Sequence, residues 1–325
     1  MTLPYYERLV CLCFATLFVV HGLTWLAVQS LTRVALRKAS TIPTRSAARL
    51  LFALRMTPLA MALLIVFGFC VPNYLWLEPD VANERAGFAF LLSAALGTIV
   101  WVVPLMRGVK SLWRTRGYLQ ACSRNRTDHA TGRDRDVVVI NDHSVVMAVA
   151  GIVRPQIVVS QAVMNALTQE EREAAFRHEA AHRVALDNLK KFLFLIGPDV
   201  LPFASGQLKL ERGWAHYAEW AADDAAVDGD TARALSLAAA LVRVAKMGVP
   251  PTPKFLLASL MKDDGDLAAR VDRLLREPVS TNQPAVPSLQ GTRKAVLITG
   301  ALAAALLVRP ASLAGLHRLL ETFLQ

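Results

Sequence analysis

Three stretches of this chain run without a charged residue: Leu9 to Val28, Thr57 to Leu77 and Ala86 to Met106. At 1.5 Å per helical residue each can cross a hydrocarbon core of about 30 Å, so each is expected to be a transmembrane helix. A fourth run, Ala295 to Val308, lies between Arg293-Lys294 and Arg309. It is shorter, but basic residues at both ends can snorkel to the interfaces, and it is the expected last span.

Between the third and fourth runs the pattern changes. Val137 to Ile140, Val145 to Ala150 and Ile157 to Ser160 are short β-branched segments separated by polar residues, and read as strands. His143 sits in the polar Asn-Asp-His-Ser stretch as a turn residue. Helical spacing takes over near residue 168. Thr168 and Glu171 have the positions of a capping box, and a run of Gln, Glu, Arg, Ala and Phe carries the helix through His182. A second Ala-rich helix is expected around Glu219 to Asp223. Phe192 to Phe203 is apolar but broken by Gly197, Pro198 and Asp199, which suits a segment lying against the membrane or re-entering it. Residues 262–294, rich in charge, Pro and Ser, read as a short helix and a linker into the last span.

Composition agrees with a membrane protein: 54% of residues are hydrophobic and the mean hydropathy is +0.36. The first span does not read as a cleaved signal peptide, because Glu7 and Arg8 precede it and no small-x-small site closes it. Loop charge gives the orientation. Arg33, Arg37, Lys38, Arg45, Arg49 and Arg55 lie between the first two spans with no acid among them, which predicts a cytoplasmic loop. Glu78, Asp80 and Glu84 with a single Arg85 place the next loop outside. The N-terminus and the C-terminal tail are then expected outside, and the segment after the third span inside, in a bacterial-type inner (plasma) membrane.

A net charge of +10 raises the possibility of nucleic-acid binding. The excess is concentrated beside the spans, in residues 30–56 and 107–135, where anionic headgroups account for it. With no zinc-finger, helix-turn-helix or RNA-binding signature, no nucleic-acid partner is expected. The four cysteines, Cys11, Cys13, Cys70 and Cys122, form no disulfide framework and read as packing residues.

The candidate chemistry lies in His178-Glu179-Ala180-Ala181-His182. Histidines four apart share one helical face, so both imidazoles can reach one metal ion, and the glutamate beside the first can act as general base on a water there. Two histidines leave such a centre one protein ligand short. Glu219 is the candidate third ligand. Asp223, one turn later on the same face, is positioned to accept a ring N–H from a ligand histidine. Two imidazoles and a carboxylate suit zinc. His216 and Tyr217 are candidate donors to a transition-state oxyanion. A strand near the active helix could accept an extended peptide by β-augmentation.

These motifs, with Gly151-Ile152-Val153-Arg154-Pro155-Gln156-Ile157-Val158-Val159-Ser160 and with Asp187-Asn188 after the second histidine, resemble the integral-membrane zinc metallopeptidases of the BlaR/MecR antirepressor type. More distantly they resemble the membrane peptidases related to the CAAX prenyl protease. The resemblance covers roughly the middle third of the chain. It implies His178, His182 and Glu219 as zinc ligands, Glu179 as base, Asp187 among the supporting groups, and a site facing the cytoplasm. The expected fold class is a mainly α membrane protein of about four transmembrane helices with an inserted α+β gluzincin-type metallopeptidase domain. Its divisions are a membrane region (1–106), a cytoplasmic peptidase domain (107–290) and a last span with a tail (291–325).

The implied function is zinc-dependent hydrolysis of peptide bonds in a cytoplasmic or membrane protein, in regulated proteolysis or signalling. The expected partners are a protein or peptide substrate and the bilayer. Antirepressor receptors continue into a penicillin-binding sensor, whereas sixteen residues follow Arg309 here, so β-lactam sensing is not expected of this chain alone. Two other classes compete. A catalytically silent zinc-binding scaffold is disfavoured by the intact Glu179. A transporter is disfavoured by spans without carboxylates or basic residues.

Overall fold

The computed structural model describes residues 4–77, 87–125, 137–141, 145–199, 205–248, 257–259 and 264–276. The expected fourth span, its linker, the acidic loop and His143 lie outside these residues. Three long helical stretches dominate the N-terminal part: α1 (Tyr5–Ala39); α2 (Thr44–Ile65), which continues through a π turn (Val66–Cys70) into α3 (Val71–Leu77); and α4 (Phe88–Arg124). All three are long and apolar enough to cross a membrane.

Each helix outruns its apolar stretch. The 35 residues of α1 span about 52 Å and the 37 of α4 about 55 Å, well beyond a core of about 30 Å. The surplus lies at one end. Arg33, Arg37 and Lys38 continue α1, since Arg and Lys are good helix formers, until Pro43 forces a new start for α2. Exposed aromatic residues mark the two levels of the membrane-sized stretch on α4. Phe88 lies at one end, and Trp113 lies about 37 Å further along. Where α1 crosses α4, a Cβ on Gly97 would come within 2.2 Å of the Phe14 carbonyl oxygen, so only glycine permits the approach.

A four-stranded sheet follows, formed by β1 (Val137–Ile140), β2 (Met147–Ala150), β3 (Gln156–Ser160) and β4 (Leu257–Ser259) in the order β1-β3-β2-β4. β3 is parallel to β1 and antiparallel to β2, and β4 pairs antiparallel with the far edge of β2. The first three match the strands read from the pattern. β4 is three residues long, too short to show a period.

Around the sheet lie α5 (Gln161–Ala166), α6 (Gln169–Ala185), α7 (Asp187–Ile196), α8 (Ser205–Val227), α9 (Thr231–Lys246) and α10 (Asp264–Arg276). One core joins the sheet to α5, α6, α9 and α10 through residues such as Met147, Val163, Ala175, Leu237, Leu241 and Leu274. A second joins α8 to the protruding ends of α1 and α2 through Val28, Ala47, Leu51, Leu210 and Trp214.

The seam between α8 and the spans also carries charge. Buried Arg55 donates from Nε to Glu211 at 2.8 Å and pairs with Asp199 at 3.2 Å, so its charge is compensated on two sides. The broken apolar run from Phe192 begins as the end of α7. That helix is wedged among α2, α4 and α8, with Phe194 packed on Phe52 and Trp214 and Ile196 against Gly108.

Candidate metal centre

The capping box at the head of α6 is present. The Thr168 hydroxyl accepts from the Glu171 N–H, and the Glu171 carboxylate accepts from the Thr168 N–H. Glu171 also binds Arg243 of α9, which anchors the helix start. At its other end α6 stops on Leu186, a non-glycine residue at φ 56°, in the left-handed region. This turn lets α7 begin at once and returns Asp187 to the face it has just left. Asp187 Oδ2 lies 2.8 Å from Nδ1 of His182, while its other oxygen accepts from Lys190 Nζ at 2.8 Å.

Helix α8 crosses the same face and delivers Glu219 and Asp223 one turn apart. Asp223 Oδ1 is 2.9 Å from Nδ1 of His178. His182 Nδ1 is hydrogen-bonded to Asp187, and His178 Nδ1 lies beside Asp223 without completing a hydrogen bond; with each Nδ1 turned to a carboxylate, both Nε2 atoms face away from it. Those Nε2 atoms are 3.1 Å apart, and Glu219 Oε2 lies 3.5 Å from one and 3.4 Å from the other. Three buried electron-pair donors thus converge on one point, and no single proton satisfies them. The trio could hold a metal ion.

Glu179, Asp187, Glu219 and Asp223 are four buried carboxylates around the trio; Lys190 pairs with Asp187, and Arg270 with Asp223 and Glu219. Burial opposes charging of His182, but Glu219 and Asp187 outweigh it and hold its pKa up at about 10. The same contest, with Asp223 and Glu219 as partners, raises His178. Burial pushes Glu219 towards the neutral form, and His182, His178 and Arg270 overcome this to hold it well below the usual carboxylate range.

Glu179 is fully buried between the histidines and the sheet. Its Oε2 accepts the Val149 N–H of β2 at 3.0 Å, and its Oε1 is buried with no hydrogen-bond partner among the described residues. Burial is the larger influence on this carboxyl, and His178 and His182 pull against it; its pKa is raised to about 7. Asn188 Nδ2 donates to the Val149 and Gly151 carbonyls at 2.8 and 3.0 Å, which fixes β2 to the start of α7. Because β2 bonds β3 through its even-numbered residues, Val149 turns its N–H to Glu179 of α6 and its C=O to Asn188 of α7. That edge also carries β4, so an extended peptide added to β2 would take the place of β4.

The two candidate oxyanion donors are placed differently. Tyr217 packs against the core shared by α8 and the spans, and the His216 ring lies on Trp220 at 4.2 Å. The converging trio includes neither.

Arg270 of α10 completes the centre without any forewarning in the sequence pattern. It is buried, donates from Nε and Nη2 to the two oxygens of Asp223 at 2.8 and 2.6 Å, and brings Nη1 to 3.4 Å from Glu219 Oε2. Its neighbour Arg273 pairs with Asp224 and lies over the Trp220 ring at 4.9 Å. An arginine in a charge-rich segment carries no local signal of this role.

The fold and this centre define a metallopeptidase-like domain carried by apolar, membrane-length helices. Residues 115–247 match the model of peptidase family M48, which supports a metallopeptidase of that family without singling out the antirepressor type. A search of curated proteins finds no match.

Proposed function

We propose that this chain is a membrane-embedded, zinc-dependent endopeptidase that cleaves a cytoplasmic or membrane protein in regulated proteolysis. The observation that carries the reading is the convergence of His178 Nε2, His182 Nε2 and Glu219 Oε2 beside the buried Glu179 carboxylate. Zinc specifically is supported by size. Four ligand atoms about 2.05 Å from a tetrahedral ion stand about 3.3 Å apart, and the three edges here are 3.1, 3.4 and 3.5 Å. Zinc held there would supply Lewis acidity to a water and to the scissile carbonyl.

The chain's own residues would do the rest. Val149 N–H fixes one oxygen of Glu179, so the free Oε1 takes the proton from the water and later hands it to the departing amine. A base with a pKa near neutrality does both. Asp187, hydrogen-bonded to His182 Nδ1, and Asp223, 2.9 Å from His178 Nδ1, would hold the ring protons there and keep Nε2 available. Orientation follows from loop charge. The protruding ends of α1, α2 and α4 lie on the peptidase side, and they carry the basic residues. On this reading the active site lies in the cytoplasm, close to the membrane surface. The antirepressor-type role rests on Arg154-Pro155, which lead into β3, and on Asp187-Asn188; Pro155, Asp187 and Asn188 lie around His182.

Full-length protein purified in detergent is expected to bind about one zinc per chain, and His178→Ala, His182→Ala and Glu219→Ala each to lower that sharply. Comparison of cellular proteins in cells carrying wild type, Glu179→Gln or His178→Ala tests the activity. A substrate cleaved by wild type alone supports the enzyme. A phenotype kept by Glu179→Gln and lost in His178→Ala would replace it with a zinc-stabilised scaffold.

A further inference from the structure

The buried fork between Arg270 and Asp223 extends the metal-centre reading and rests on it. We infer that Arg270 is a positioning residue of the centre: it acts through Asp223 on His178 and sets the affinity for the metal from outside the matched domain, 23 residues beyond its last residue.

Helix α10 has two distinct faces. Leu267, Val271 and Leu274 recur at helical spacing and pack into the core shared with α9. Arg270 and Arg273, three residues apart, project instead towards α8, where they meet Asp223, Asp224 and Trp220. The apolar stripe therefore docks the helix, and docking inserts one guanidinium into the centre.

That guanidinium constrains two carboxylates. Both oxygens of Asp223 are held by separate N–H groups of one rigid plane, which fixes the orientation of the carboxylate as well as its charge. Oδ1, the oxygen bound by Nη2, is the one that faces His178 Nδ1. The ring angle of His178, and so the direction of its Nε2 lone pair, is set at second hand by Arg270. Nη1 lies 3.4 Å from Glu219 Oε2, so the same guanidinium also borders a candidate ligand. Without Arg270, Asp223 is a fully buried carboxylate with only a histidine beside it, and its orientation is not maintained.

A lone positive charge near a metal site would ordinarily oppose a cation. Here it neutralises Asp223 through two short bonds and stands beside Glu219, so the gain in orientation outweighs the repulsion. Supporting contacts of this kind change metal affinity by about 10- to 100-fold.

The test uses full-length protein in detergent, with zinc affinity measured by chelator competition and ligand geometry by the visible absorption of the cobalt-substituted protein. Arg270→Met is expected to weaken zinc binding about 10- to 100-fold and to alter the cobalt spectrum. Arg270→Lys keeps the charge but loses the fork, and should fall between. In an Asp223→Asn background the further change Arg270→Met should cost less than about threefold, because the pathway is already broken. Wild-type zinc affinity and cobalt spectrum in Arg270→Met, or penalties that add in the double variant, would overturn the inference and leave Arg270 as a strut of the fold. If Arg270→Met fails to fold, the Lys and Gln variants carry the same comparison. Failure of the metallopeptidase reading looks different, because wild type itself would then bind no zinc and His178→Ala would change nothing.

Discussion

Removing the charge of Glu179 should stabilise the metal-free protein in alkaline solution while abolishing hydrolysis. In the fold this carboxyl titrates near 7, against 4.5 ordinarily, and burial is the main cause. Between these values the native state holds a proton that the unfolded chain releases, so this group's contribution to stability declines as pH rises from 4.5 through 7 and levels off above. At about 1.36 kcal/mol per pH unit, the ionised carboxylate costs roughly 3 kcal/mol at pH 8 and less than about 1 kcal/mol at pH 5.

Glutamine keeps the shape and an acceptor for Val149 N–H, but places an unpaired amide donor where Oε1 stood, at a cost of about 1–3 kcal/mol at every pH. The absolute effect of Glu179→Gln is therefore small. Its pH dependence is not: relative to wild type, the variant should gain about 2.5 kcal/mol between pH 5 and pH 8. Chemical unfolding of both proteins in detergent with excess chelator, at intervals across that range, measures it. A difference that stays flat with pH would show that the carboxylate is not held against a desolvation penalty, and the case for Glu179 as a base poised near neutrality would go with it. Restoring zinc should shrink the effect, since the cation offsets the cost of the anion.

Three further outcomes concern other parts of the structure. Leu186→Gly relieves about 1 kcal/mol of left-handed strain, is partly offset by the flexibility of glycine in the unfolded chain, and should leave zinc content unchanged, whereas Leu186→Val should displace Asp187 and lower it. Gly97→Ala drives a methyl group into the Phe14 carbonyl and should destabilise the α1–α4 pair by about 1–3 kcal/mol, read as a lower unfolding temperature in detergent. In a background free of the four native cysteines, Thr41→Cys should resist an impermeant thiol reagent in intact cells and Asn83→Cys should label; the reverse pattern would move the peptidase outside the cytoplasm.

Much of this architecture is local and is therefore written in the chain. Apolar runs of 20 or so residues announce membrane-length helices, short valine- and isoleucine-containing segments announce β1 to β3, and Thr168 with Glu171 marks the start of the helix bearing His178 and His182. The spacing of Glu219 and Asp223 is likewise a property of one helix, so their shared face is legible. What the chain alone does not disclose depends on contacts between distant segments. The packing of α7, α8 and the sheet on the basic ends of α1, α2 and α4 is a tertiary effect with no hydrophobic period of its own. β4 exists because β2 offers an edge to pair with. Arg270 meets Asp223 across 47 residues, and only the docking of α10 on α9 turns an ordinary basic side chain into a buried support of the centre. Periodicity reports which face of an element is buried; it carries no information about which element arrives to bury it.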